Sequence, residues 1–201
     1  MITKPTLLLD SDKCRKNIGR MAAKAVAKGL SFRPHFKTHQ SLEIGRWHRE
    51  FGITKITVSS LSMAKYFSGE WNDITVAFPV NILEIETINE LASKITLNIQ
   101  LENFESAAFP SENLRANVGC FIKIDVGTHR TGMNPKNTGS IEAVMDVIDS
   151  CDHMKFRGFL AHSGHTYHSS SPKEVMEIHE TTCGIMLKLK QKYKNRYPDL
   201  I

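Results

Sequence analysis

Ile95-Thr96-Leu97-Asn98-Ile99-Gln100 alternates apolar and polar residues through six positions. With a side-chain period of two, Ile95, Leu97 and Ile99 share one face of a strand, and Thr96, Asn98 and Gln100 share the other. The division recurs along the chain. Ile56 and Val58 oppose Thr57 and Ser59, Ile74 and Val76 oppose Thr75 and Ala77, and Ile122, Ile124 and Val126 oppose Lys123 and Asp125. Helix-period patterns separate these segments, so the chain reads as strand–helix alternation around a parallel sheet. A doubly wound sheet, covered on both faces, requires nearly continuous apolar strands. A barrel with helices only on its outside can keep polar groups within, particularly near a ligand. The expected fold is therefore α/β, a (β/α)8 TIM-type barrel.

Strands are predicted over 6–10, 31–37, 55–59, 74–78, 95–100, 119–126 and 155–162. Helices are predicted over 11–28, 41–51, 62–68, 82–92, 103–108, 139–150 and 172–194. Gly29 is placed as the residue that ends the first helix, where a left-handed backbone is needed. The final helix has Ser171 as N-cap, Pro172 at its first position and Glu174 completing a capping box. After the opening run, six barrel strands are counted. The barrel is thus expected to be incomplete, with residues 1–201 forming one truncated domain.

The 201 residues are 41% hydrophobic and 23% charged, the balance of an ordinary globular chain. The net charge of +5 is spread over lysines and arginines interleaved with acids, and no nucleic-acid-binding pattern accompanies it. No run is long and apolar enough to span a bilayer and no leader is visible, so a cytoplasmic protein is expected, without membrane or nucleic-acid partners. The four cysteines are scattered, with no CxxC spacing, which argues against a zinc ribbon and fits reduced thiols. Neither a GxGxxG after the first strand nor a GxxxxGK[ST] occurs.

Chemistry-bearing residues fall at predicted C-terminal ends of strands, where barrels build their sites. In Arg33-Pro34-His35-Phe36-Lys37-Thr38-His39, the charged residues share one face of the predicted strand. Inside a barrel, Lys37 would lose hydration and become a nucleophilic amine; a solvated edge strand is the competing reading. Val58-Ser59-Ser60 offers hydroxyls, or simply a helix cap. Lys123-Ile124-Asp125-Val126-Gly127-Thr128-His129-Arg130 places an acid before a glycine loop that carries an arginine suited to a phenolate or carboxylate. Ala161-His162-Ser163-Gly164-His165-Thr166-Tyr167-His168 suggests either a metal-binding histidine set or an aromatic wall against a flat cofactor.

Taken in order with Pro5–Asp10, Asn17-Ile18 and Asp73-Ile74, these segments resemble the fold-type III pyridoxal-phosphate enzymes, the alanine-racemase-like barrels. The nearest branch is that of the D-threonine aldolases and D-serine dehydratases. The resemblance implies a pyridoxal 5'-phosphate cofactor held as a Schiff base by Lys37. It also implies a lyase acting on small D-amino acids that carry a β-hydroxyl. Arg130 would contact the cofactor's phenolic oxygen or the substrate carboxylate, Lys123 would position Arg130, and His162 or Tyr167 would stack on the ring. His35 belongs to the same expected cofactor-binding set, and barrel geometry adds Ser59 and Gln100. In this branch a C-terminal β-domain supplies a divalent metal through a His-x-Cys or His-x-Asp pair, which these residues do not contain. Residues 1–10 would pair with that domain, and the full-length protein would be a homodimer. A silent cofactor-binding remnant, a racemase and a metal-dependent barrel hydrolase are the other readings.

Overall fold

The computed structural model describes residues 3–4, 6 and 8–200. Its helices are α1 (Ser11–Ala27), α2 (Leu42–Glu50), α3 (Leu61–Phe67), α4 (Ile85–Ala92), α5 (Phe104–Asn113), α6 (Thr138–Asp149) and α7 (Pro172–Tyr193). Its strands are β1 (Ile56–Val58), β2 (Asp73–Pro79), β3 (Thr96–Leu101), β4 (Val118–Ile124) and β5 (Met154–Ala161). All neighbouring strands are parallel and their spatial order follows the sequence, β1-β2-β3-β4-β5. A doubly wound sheet would reverse that order at a switch point. The consecutive order is that of a barrel segment.

The two faces of the sheet differ as the alternation requires. Ile56, Val58, Ile74, Leu97, Ile99, Ile122 and Ile124 are at most 2% exposed and form the core beneath the helices. On the other face Thr57, Thr75, Asn98, Gln100 and Lys123 are buried polar residues. Thr57, Thr75, Asn98 and Gly119 lie in one row across four strands. Gly119 is required there, because a Cβ would overlap the side-chain oxygen of Asn98. Asn98 in turn donates to Thr75 Oγ1 at 3.3 Å and Asp73 Oδ1 at 3.2 Å, while Asp73 pairs with Arg33 at 2.8 Å. The Asn98 amide N–H groups are thus matched in the lower layer of the interior, while its buried side-chain oxygen has no partner among the described residues.

Local chemistry ends the helices where expected. Asp10 caps α1 through Lys13 N–H, Ser60 caps α3 through Met63 N–H, and Gly29 has φ +63° just past α1. Ser171 caps α7 by accepting from Glu174 N–H. Glu174 does not close a capping box on Ser171; its carboxylate accepts from the backbone and hydroxyl of Ser170 instead. Helix α5 runs past the predicted end at 108 and through Pro110. The proline removes one N–H, but Leu114 N–H donates to Pro110 O, and Ser111 and Asn113 side chains donate to the carbonyls of Ala108 and Phe109.

The predicted strand over 31–37 is the main correction. A single parallel bridge joins His35 to Thr57, Thr57 N–H donates to Pro34 O at 2.9 Å, and the chain then turns into a 3-10 helix at Phe36–Thr38. Pro34 has no N–H to extend a ladder. Phe36 is wholly buried among the rings of His39, His48, Phe67 and Trp71, at centroid distances of 4.5–5.1 Å. That burial overrides the period-two reading. Of the opening strand predicted over 6–10, Thr6 and Leu8–Asp10 pair with no strand, and Leu7 lies outside the described residues, as do Met1, Ile2 and Pro5.

Candidate functional site

The loop after β4 is folded by its own first residue. Asp125 Oδ1 accepts from the backbone N–H groups of Gly127 and His129 at 3.0 and 3.1 Å, and Oδ2 meets His129 Nδ1 at 3.0 Å. Partial burial works against the ionised form, but these bonds outweigh it and hold Asp125 below the usual carboxylate range. The loop then returns to its own strand. Met133 N–H donates to Lys123 O at 2.8 Å, and Asp125 N–H donates to Met133 O at 3.0 Å. This close return needs Gly132, whose φ is +107° and whose Cβ, if present, would sit 2.9 Å from the backbone of Ile124 and Asp125.

Thr128 ties this loop to the one after β5. Its hydroxyl lies 2.7 Å from His162 O, 3.2 Å from Gly164 N–H and 3.2 Å from His165 Nδ1. Between the loops lies a cleft of about 10 Å3, lined by Lys123, Asp125, Thr128, Arg130, Thr131 and His162. It holds no more than about one water molecule. A pyridine ring does not enter it.

Electrostatics identify which groups face one another. Burial holds the His162 imidazole below its ordinary pKa, and the charges of Lys123, Arg130 and Lys37 push it the same way. His35 is lowered to about 4 by burial, then by Lys37 and His162. Lys123 is 5% exposed and lowered to about 8, by burial first and then by Arg130, with Asp125 and Glu102 opposing. Lys37, Lys123, Arg130 and His35 thus each lie within electrostatic reach of His162, and Lys123, Arg130 and His162 line the same cleft. Arg130 is exposed and, among the described residues, its side chain makes no hydrogen bond, which leaves its guanidinium open to an anion.

Lys37 differs from expectation. It is exposed on the 3-10 helix, not walled into the interior, because the burial of Phe36 turns the chain outward. Its backbone N–H donates to His35 Nδ1 at 3.2 Å, which fixes its place. Tyr167 is 77% exposed and meets the half-buried His162 edge-on at 5.9 Å. Ser59 and Gln100 line a different cavity, between β1, β2 and β3. Among the described residues no three His, Cys, Asp or Glu side chains are grouped to hold a metal ion, and His165 is engaged by Thr128. Sequence reasoning missed Thr128 and Glu102. The latter has a buried Oε2 without a hydrogen-bond partner, and burial raises its pKa while Gly132 N–H and Lys123 oppose. A threonine three residues past a strand-end acid was the available signal for Thr128.

A lysine, an arginine and a histidine at the C-terminal edge of a consecutive parallel sheet define a barrel of the alanine racemase type. The chain belongs to the family described as alanine racemase, N-terminal domain, whose model matches residues 9–196. It is 30% identical over 193 residues to the D-serine dehydratase of Dictyostelium discoideum, covering 88% of this chain and 49% of that protein. It is 28% identical over 182 residues to the D-threo-3-hydroxyaspartate dehydratase of Delftia sp. (strain HT23), covering 88% and 47%. The solved structure of the Delftia enzyme superposes with a TM-score of 0.88 at 23% identity, over 97% of this chain and 52% of that one. D-threonine aldolase from Filomicrobium marinum gives 0.85 at 21% identity, over 90% and 50%. The chain spans about half the length of the curated relatives it matches. Among the described residues, no helix is long and apolar enough to cross a membrane.

Proposed function

We propose that this chain is the barrel part of a pyridoxal-phosphate-dependent lyase acting on D-amino acids with a β-hydroxyl, of the D-serine dehydratase or D-threonine aldolase type. The observation that carries the reading is the convergence of Lys37, Lys123 and Arg130 on His162 beside an accessible primary amine. That donor set fits an anionic aldehyde. Lys37 would hold the aldehyde end, Arg130 the phenolic oxygen or the substrate carboxylate, and His162, half-buried and fixed through Thr128, the ring face. Tyr167 closes on His162 from the solvent side, and His35 steadies Lys37 through its backbone. When bound, the cofactor supplies an electron sink for the bond broken at the substrate α carbon. Lys123, with a pKa of about 8, is able to exchange a proton near neutral pH beside Arg130. The reading includes a small D-amino acid substrate, a cytoplasmic setting and a homodimer for the full-length protein, with neither nucleic acid nor membrane as partner.

The exposure of Lys37 favours a second reading, in which the chain binds the cofactor without turning substrate over. One set of measurements separates the two. Protein mixed with pyridoxal phosphate is reduced with borohydride and mapped, and D-serine and D-threonine are assayed for keto acid, glycine and aldehyde. The first reading expects a label on Lys37 that Lys37→Ala abolishes, together with turnover. Label without turnover supports the second, and absence of label on Lys37 overturns both.

A further inference from the structure

Strand β2 holds two residues more than its partner needs. Thr75 pairs with Asn98 and the next pairing is Pro79 with Gln100, so four steps along β2 match two along β3. The surplus residues bow away from the ladder, as bulges beside functional sites often do. The result is a cavity of about 170 Å3 bounded by β1, β2, β3, α3 and α4. It shares no lining residue with the cleft between Lys123 and His162.

The walls are apolar: Leu61, Val76, Ile88 and Ile99 are at most 6% exposed. Ser59, Ser60, Asn81, Glu84 and Gln100 add polar groups to the lining, of which Gln100 and Ser59 matter most here. Gln100 is 3% exposed; among the described residues its amide makes no hydrogen bond to protein, and the little surface it keeps accessible belongs to the cavity lining. Ser59 offers its hydroxyl only to Met63 Sδ, at 3.3 Å, and a thioether is a weak acceptor. An amide that faces a cavity without a protein partner is open to a guest that accepts or donates there in place of water. We propose that this cavity is a second ligand site for a small neutral molecule with a branched apolar body and one amide or hydroxyl head. Gln100 and Ser59 hold the head, and Leu61, Val76, Ile88 and Ile99 enclose the body. The volume suits about six non-hydrogen atoms, since an engineered apolar cavity of about 150 Å3 accepts benzene. The carboxylate of Glu84, held by Asn81 at 3.1 Å on the same lining, disfavours an anion. The site stands independently of the lyase reading.

Isobutyramide is the probe, titrated into the full chain while the Gln100 side-chain amide and the Leu61 and Ile99 methyl resonances are followed. Saturable shifts in the millimolar range are expected, unchanged by saturating pyridoxal phosphate. Gln100→Leu is expected to weaken binding at least fivefold, and the milder Ser59→Ala at least twofold. The proposal is overturned by shifts that do not saturate, by affinity unchanged in both variants, by equal binding of isobutyrate, or by displacement of the probe with pyridoxal phosphate. The last outcome would assign the cavity to the cofactor.

Discussion

The hydroxyl of Thr128, on the loop after β4, donates to the carbonyl oxygen of His162, on the loop after β5, at 2.7 Å. One hydroxyl thereby fixes two loops that bring an arginine and an imidazole to the same place. Thr128→Val keeps the shape and removes the bond, leaving Gly164 N–H without its acceptor. Stability is expected to fall by about 1–2 kcal/mol, read by urea unfolding. Affinity for pyridoxal phosphate is expected to fall several-fold, read by absorbance titration. Unchanged cofactor affinity would separate the latch from the site.

Gly132→Ala is expected to be more damaging than a surface glycine change. It adds a Cβ against the backbone of Ile124 and Asp125 at a φ of +107°. A loss of about 2–3 kcal/mol is expected, whereas Gly139→Ala, with open space around it inside α6, should be neutral or slightly stabilising. Paired thermal melts check the contrast.

Phe36→Ala tests whether the aromatic cluster holds Lys37 in place. Removing a fully buried ring costs about 3–5 kcal/mol. If the protein still folds at low temperature, labelling of Lys37 by pyridoxal phosphate and borohydride is expected to slow severalfold. Phe36→Leu should restore most of both properties.

Acid is expected to destabilise the same region. His35 and His39 are each lowered to about 4, His39 by burial and then by the charge of His48. In the unfolded chain they titrate near 6.5, so between these values the unfolded state binds more protons and stability falls with pH. The stabilisation is fully present above pH 6.5 and is lost as pH drops through 4. The combined loss is on the order of 2 kcal/mol after allowance for partial exposure, and it should shrink in His39→Phe. Denaturant midpoints at pH 7.5, 5.5 and 4 supply the check.

Strand–helix order and the two-faced strands were readable because both rest on local periodicity, which the core of β1–β5 enforces over long, consistent segments. Lys37, Arg130 and His162 stood out as candidates because uncommon polar groups cluster at predicted strand ends. What periodicity could not show was the cost of leaving Phe36 exposed, which ends the first strand and moves Lys37 outward. Nor could it show that Thr128 reaches across 34 positions to His162, a contact set by loop geometry. The placing of Gln100 and Ser59 in a cavity apart from the Lys123–His162 cleft goes with the surplus residues in β2, and no residue type there announces an irregular register.

Because each strand of the sheet lies beside the one made just before it, assembly has a direction. During synthesis the amino-terminal strands can pair while later ones are still being translated, and each newcomer finds its docking edge already formed. The order of the ladder thus permits folding to keep pace with the ribosome.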